Sequence, residues 1–273
     1  MTHANESSDL LVSTEGGVCT VTFNRPQQMN SFTAEMQVRI ARLWGDLAEN
    51  DEVRVVILTG AGDQSFCAGA DLKRLVPLIS GERKPEDYWD HELASKPRLL
   101  DDFLQRVDDF PKPVIAAVNG YAIAGGFELM LSADIRVASR NAVFAQTEVT
   151  RGVSPAGGGI SRLTRQVGFA DAMKLLLTGV KIDAEEALRI GLINEIVVNG
   201  DVMARAHEYA KMVLASSRVA VEATKAAVIA ASGTPLKQAF LIETLCRAIV
   251  MSSEDARTGP RAFVRGETPS FDS

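Results

Sequence analysis

Three cysteines in 273 residues are too few, and too far apart, to staple a fold together. Cys19, Cys67 and Cys246 form no CxxC pair, which argues against a disulfide framework and a thiolate zinc site and fits a reducing compartment. Histidine is as scarce: His3, His91 and His207 are scattered, so neither a metal cluster nor a Ser-His triad arises. No apolar run approaches the ~20 residues that span a bilayer. Met1 to Leu10 is polar and contains acids, and lacks the basic start and apolar stretch of a secretory signal and the arginines of a transit peptide. Positive charge is not in excess either. A formal net charge of -6 argues against a dominant nucleic-acid surface, while leaving room for a local basic patch. The expectation is a soluble cytoplasmic protein with no metal and no nucleic-acid or membrane partner.

What is present is ordinary globular material, 46% hydrophobic and 23% charged, enough for one large domain or one with a smaller appendage. Leu10-Leu11-Val12 and Val18 to Phe23 read as a hairpin turning at Gly16-Gly17. Ser31 or Thr33 caps a helix running to about Glu49, with Met36, Ile40, Leu43, Trp44 and Leu47 on its buried stripe. Val53 to Leu58 and Val114 to Val118 are apolar strands, the second followed by a helical run from Gly126 to Ser132. Ile135 to Ala138 and Ile193 to Val198 read as further buried strands. Between Pro77 and Arg106 the chain is charged and proline-broken, a long connection with helical pieces that covers something unspecified. From Asp201 onward three helical stretches follow: Val202 to Leu214, Val219 to Ala231 and Pro235 to Met251. The pattern predicts an α/β core over residues 1–200 and a helical region over 201–273.

Three places could carry chemistry. Ser65 to Lys73 is a run of small residues after a strand, either an ordinary tight turn or a place where backbone N–H groups meet a ligand. Asn119 to Leu129 carries a strand through Gly125-Gly126 into an apolar helix, where exposed N–H groups suit developing negative charge. A glycine at 125 keeps the approach open and tolerates a positive φ. The run lacks the GK[ST] ending of a P-loop and the glycine spacing of a dinucleotide fingerprint. Glu128 stands there among Phe127, Leu129, Met130 and Leu131, either at the rim or buried with a raised pKa suited to acid–base work. The third place is Phe144 to Gly152 with Gly157-Gly158-Gly159. Glu148 either pairs with Arg151 or joins the chemistry, and the glycines form a flexible loop or another helix start. Cys67 reads as a packed residue, since nothing near it in sequence activates a thiol.

Taken in order, these segments closely resemble the enoyl-CoA hydratase/isomerase, or crotonase, family. The likeness runs from Asn24-Arg25-Pro26 and Asn30-Ser31-Phe32 through Phe66 to Lys73 and Lys112 to Gly120. It continues at Leu177-Thr178-Gly179, Ala184 to Ala187 and Gly191-Leu192-Ile193, and ends at Asp255 to Gly259 with Ala262-Phe263. The resemblance implies an α/β spiral of strand–strand–helix units and a C-terminal helical region that assembles a homotrimer or, by pairing, a homohexamer. It implies an oxyanion hole made by the N–H groups of Ala70 and Gly125. Ala68, Ala70, Asp71, Leu72 and Lys73, together with Gly125, would line the site of an acyl-CoA thioester. Coenzyme A would be part of the substrate, with no separate cofactor. Glu128 and Glu148 match both positions where the family's hydratases carry glutamates, which makes enoyl-CoA hydration the expected reaction. Which is acid and which is base stays open, since neighbouring carboxylates titrate together. Ala156 stands where the dienoyl-CoA isomerases carry a further acid, and the single-acid enoyl isomerases lack the pair. The remaining alternatives are another acyl-CoA reaction or a non-catalytic CoA-binding scaffold. Thr258 departs from the family's frequent glutamate. The tail after Phe263 departs from its basic run, leaving Arg261 or Arg265 as candidates for a CoA phosphate contact.

Overall fold

The computed structural model describes residues 9–96, 98–105, 110–198 and 201–271. Met1 to Ser8, His3 among them, and Arg106 lie outside the described residues. β1 (Leu10–Glu15) and β2 (Val18–Phe23) form the expected hairpin, with Leu10 opposite Phe23 and Glu15 opposite Val18. Gly16 (φ 55°) and Gly17 (φ 84°) supply the two left-handed residues that a two-residue hairpin turn demands. In α1 (Ala34–Glu49), the Thr33 hydroxyl accepts the Met36 N–H at 3.2 Å and so caps the first turn. Met36, Ile40, Trp44 and Leu47 then fall on one buried stripe.

The chain next winds as a spiral. Its first turn is β3 (Val55–Gly60), β4 (Ser65–Cys67) and the helices α2 (Leu75–Ser80), α3 (Tyr88–Ser95) and α4 (Leu99–Phe103). The second is β5 (Val114–Val118), β6 (Tyr121–Ile123) and α5 (Gly125–Met130). The third is β7 (Ile135–Ser139), β8 (Val143–Ala145), a 3-10 turn over Glu148–Arg151, α6 (Gly159–Gln166) and α7 (Phe169–Thr178). β9 (Ile182–Asp183), α8 (Ala184–Arg189) and β10 (Glu195–Val197) close it. Each turn contributes one strand to each of two sheets. The larger has the order β1-β2-β3-β5-β7-β10, parallel throughout beyond the hairpin; the smaller has the order β4-β6-β8-β9. β3 and β5 are buried along their whole length, as strands covered on both faces must be.

The structure moves some expected boundaries. β3 starts at Val55, where its pairing with Val18 of β2 begins, and it runs on through Gly60. β10 is shorter than Ile193 to Val198 and only half-buried, since it is the sheet edge; Leu192 and Ile193 are buried in the turn before it. α5 begins at Gly125 and ends at Met130.

α9 (Val202–Leu214), α10 (Arg218–Ala231), α11 (Leu236–Ser252) and α12 (Asp255–Arg265) follow, the last of them unexpected. In α9, Val202, Ala206 and Ala210 pack on Val55, Ile57, Ile115, Ala117 and Val137, so this helix covers the large sheet. α10 and α11 bury no residue fully, and Phe240, Leu241, Leu245 and Ile249 stay more than half exposed.

Candidate active site

β4 and β6 are paired neighbours, so the segments that leave them lie side by side. Ser65 to Lys73 and Asn119 to Leu129, far apart in sequence, therefore meet at one place. Their contact is tight: a Cβ added at Gly69 (φ 87°) would stand 3.1 Å from the Gly125 nitrogen. The positive φ lies on Ala124 (φ 52°, ψ −126°) and not on Gly125. That conformation costs a non-glycine residue about 1–3 kcal/mol and persists only where the surroundings impose it. Here the Ala124 N–H donates to Ala145 O at 2.9 Å and its carbonyl accepts the Glu128 N–H at 2.9 Å. Fixing Ala124 fixes the peptide that carries the Gly125 N–H. On the other side, Ala70 forms a parallel bridge with Phe32, made by Phe32 N–H to Gly69 O (2.8 Å) and Asp71 N–H to Phe32 O (3.0 Å). No hydrogen bond to another described residue engages the N–H of Ala70 or of Gly125, and both residues are only half-buried.

Glu128 is 4% exposed, which decides between the rim and the interior. Its Oε1 accepts the N–H groups of Gly157 (2.8 Å) and Gly159 (3.0 Å). Burial pushes its carboxyl up to about 7; the Gly159 and Gly157 N–H groups oppose this, and the charge of Glu148 adds to it. Space around these glycines is tight. A Cβ on Gly157 would collide with Leu104 and stand 2.6 Å from Glu128 Oε2, and one on Gly159 would stand 2.9 Å from Glu128 Oε1. Glu148 opens the 3-10 turn, half-buried, with Oε2 buried and without a hydrogen-bond partner. Burial raises its carboxyl as well, opposed by the Gln146 side chain and the Arg151 charge. The Arg151 guanidinium itself donates to the Thr147 hydroxyl at 2.7 Å. Two carboxyls, both raised by burial and the charge of Glu148 felt by Glu128, thus stand near each other beside the paired turns.

Of the other candidates, Ala68 and Asp71 are partly buried, while Leu72 and Lys73 are exposed at the edge of the first turn. The Asp71 carboxylate is occupied by protein groups, the Lys73 and Arg74 N–H groups and Arg25. Cys67 is fully buried and its thiol is driven far up by burial, as a packed residue requires. The long connection, whose cover the sequence left unspecified, lays α3 and α4 on α1 and brings Leu104 against the Gly157 loop. Trp44 ties it down by donating to Phe103 O at 3.2 Å. A cavity of about 620 Å³ lies behind that loop, lined by Gln105, Arg136, Gly158, Arg162 and Lys225 among others; neither glutamate lines it.

A family model described as enoyl-CoA hydratase/isomerase matches residues 13–273. The chain belongs to the enoyl-CoA hydratase/isomerase family. Its relatives include a short-chain-enoyl-CoA hydratase of Clostridium acetobutylicum, 36% identical over 95% of both chains. Another is the (E)-benzylidenesuccinyl-CoA hydratase of Thauera aromatica, 36% identical over 93% of this chain and 95% of that one. Among solved structures, the enoyl-CoA hydratase of Bacillus anthracis superposes with a TM-score of 0.86 at 31% identity, over 97% of this chain and 99% of that one. The α/β crotonase spiral implied by the resemblance is the fold observed. No helix among the described residues is long and apolar enough to cross a membrane. Sequence reasoning missed the part that Gly157 and Gly159 play in holding Glu128. The glycine run was visible, but its partner lies 29 and 31 residues upstream, beyond any local pattern.

Proposed function

We propose that the protein is an enoyl-CoA hydratase, which adds water across the 2,3 double bond of an enoyl-CoA thioester. One observation carries this reading: a buried carboxyl, Glu128, and a half-buried one, Glu148, whose charge acts on it, sit beside two turns whose N–H groups at Ala70 and Gly125 are unengaged. Water attack at the β-carbon pushes the π electrons through the α-carbon onto the thioester oxygen. Two fixed donors favour that enolate more than the ground-state carbonyl, which lowers the barrier. Glu128, whose Oε1 is steadied by two N–H groups, takes the proton of the attacking water. Glu148, with an unpartnered buried oxygen, carries the proton delivered to the α-carbon. A carboxyl near pH 7 is well placed to accept or give a proton at neutral pH. Ala68, Asp71, Leu72 and Lys73 border the CoA moiety, through their backbone in the case of Asp71. The hydratase names of the similar proteins from C. acetobutylicum and T. aromatica support the same reaction type. The exposed apolar residues of α11, with Phe263 and Val264 of α12, support assembly into a trimer or hexamer. Three unpaired cysteines suit a cytoplasmic setting.

The test is incubation with crotonyl-CoA and a panel of longer and branched 2-enoyl-CoAs. Loss of the conjugated thioester absorbance with formation of the 3-hydroxyacyl product is expected. Migration of the double bond without uptake of water would replace hydration by isomerisation.

A further inference from the structure

Arg25 is the cation through which both sides of the Ala70 bridge are tied together. Its Nη1 donates to Ser31 O (2.8 Å) and to the Ser31 hydroxyl (3.1 Å), immediately before Phe32. Its Nη2 donates to Asp71 Oδ2 at 3.0 Å, immediately after Ala70. Both side chains of this pair are largely covered, 14% exposed for Arg25 and 12% for Asp71. Nε completes the set at 3.5 Å from Asp9 Oδ2. The backbone N–H of Arg25 donates to Asn30 Oδ1 at 2.9 Å, and Asn30 Nδ2 in turn donates to Ser65 O at 2.6 Å, where β4 begins. Asp71 is equally committed: Oδ1 accepts the N–H groups of Lys73 (2.9 Å) and Arg74 (3.2 Å). One planar guanidinium therefore spans the two segments that grip the Ala70 peptide, a geometry a lysine cannot reproduce because its ammonium is a single point.

We infer that the side chains of Arg25 and Asp71 position the Ala70 N–H, setting its direction toward the thioester oxygen without themselves touching the substrate. The inference rests on the acyl-CoA thioester reading of this site. An oxyanion donor a fraction of an ångström out of place still lets the substrate bind but gives up much of its preference for the developing charge. Breaking the clasp therefore lowers kcat and leaves KM nearly alone, and the polarisation of a bound carbonyl falls with it.

The experiment uses the full-length protein and three variants, Arg25→Gln, Asp71→Asn and Arg25→Lys. Asp71→Asn can keep the turn, since the amide oxygen still accepts from residues 73 and 74, while losing the charge that pairs with Arg25. Circular dichroism and sedimentation establish that each variant is folded and assembled as the parent is. Carbonyl-labelled butyryl-CoA, which has no double bond to hydrate, is then bound to each. Its thioester stretch is read by difference infrared spectroscopy and its affinity by calorimetry. The parent lowers the stretch relative to free butyryl-CoA. Arg25→Gln and Asp71→Asn return it most of the way, with affinity within about threefold and kcat on crotonyl-CoA down about tenfold or more. Arg25→Lys recovers part of both. If Arg25→Gln fails to fold, Asp71→Asn carries the comparison. A folded Asp71→Asn protein with the parental carbonyl shift and kcat overturns the inference, as does a parent that binds butyryl-CoA without shifting its carbonyl. A parent that shifts the carbonyl but hydrates no enoyl-CoA removes the hydratase reading alone, and the clasp is then judged on the shift.

Discussion

Glu128 is held where a carboxylate is uncomfortable, and the cost should be measurable. Its folded pKa of about 7 lies above the ordinary 4.5. The folded state therefore holds its proton more tightly than the unfolded chain, and folding stability falls as pH rises from about 4.5 through 7. With each pKa unit worth about 1.4 kcal/mol, the loss approaches roughly 3 kcal/mol once the group is fully ionised. Glu128→Gln escapes it. Thermal melts of parent and variant should coincide near pH 4.5 and diverge above it, the variant melting higher at pH 8; identical curves would mean that the carboxyl is not strained by burial. The same substitution, and Glu148→Gln, should cut hydration by ~10² or more with CoA-ester binding kept. Gly157→Ala tests the support beneath Glu128. The added methyl strikes Leu104 and the carboxylate, so a loss of about 1–3 kcal/mol from overpacking should accompany at least tenfold lower kcat. Wild-type turnover in that variant would show that the carboxylate is not seated by the loop. Glu128 stood out as a carboxyl among apolar residues and Glu148 only through the family pattern; the two N–H groups that seat Glu128 were not legible, because they arrive from another turn of the spiral.

At the scale of elements, legibility followed length. The hairpin, α1, β5 and α9 were readable because alternation or helical periodicity persisted over enough residues to define a face. β4, β6 and β8 are three residues each, too short for alternation to register, so the whole second sheet was invisible in the sequence although it is what brings the Ala70 and Gly125 turns together. α12 was hidden by Gly259 and Pro260 within it. α1 offers the clearest test of an element's boundary. Thr33→Ala removes the cap at Met36 and should cost about 1 kcal/mol in urea unfolding, without changing activity by more than twofold. No measurable loss would place the start of α1 under tertiary control.

For the whole molecule, the uncovered side of α11 is a demand the fold leaves unmet among the described residues. Leu241 and Leu245 are 62% and 67% exposed, on a helix that buries nothing fully. A surface of this kind on a lone subunit predicts association. Leu245→Glu should shift sedimentation toward monomer at micromolar concentration; a parent that is itself monomeric would remove the assembly reading. The large sheet has a different consequence, one that concerns how the chain is made. Its order β1-β2-β3-β5-β7-β10 is the order of synthesis, and no strand has to enter between two that are already paired. Each arrival simply extends an open edge left by its predecessor, so the sheet can lengthen while the ribosome is still working. Ribosome-bound chains arrested soon after β7 should already protect β2 and β3 from limited proteolysis, with β7 the vulnerable margin. That margin stays open until Glu195–Val197 emerges, and the strand that seals it is short and half-buried, a poor template for a passing neighbour.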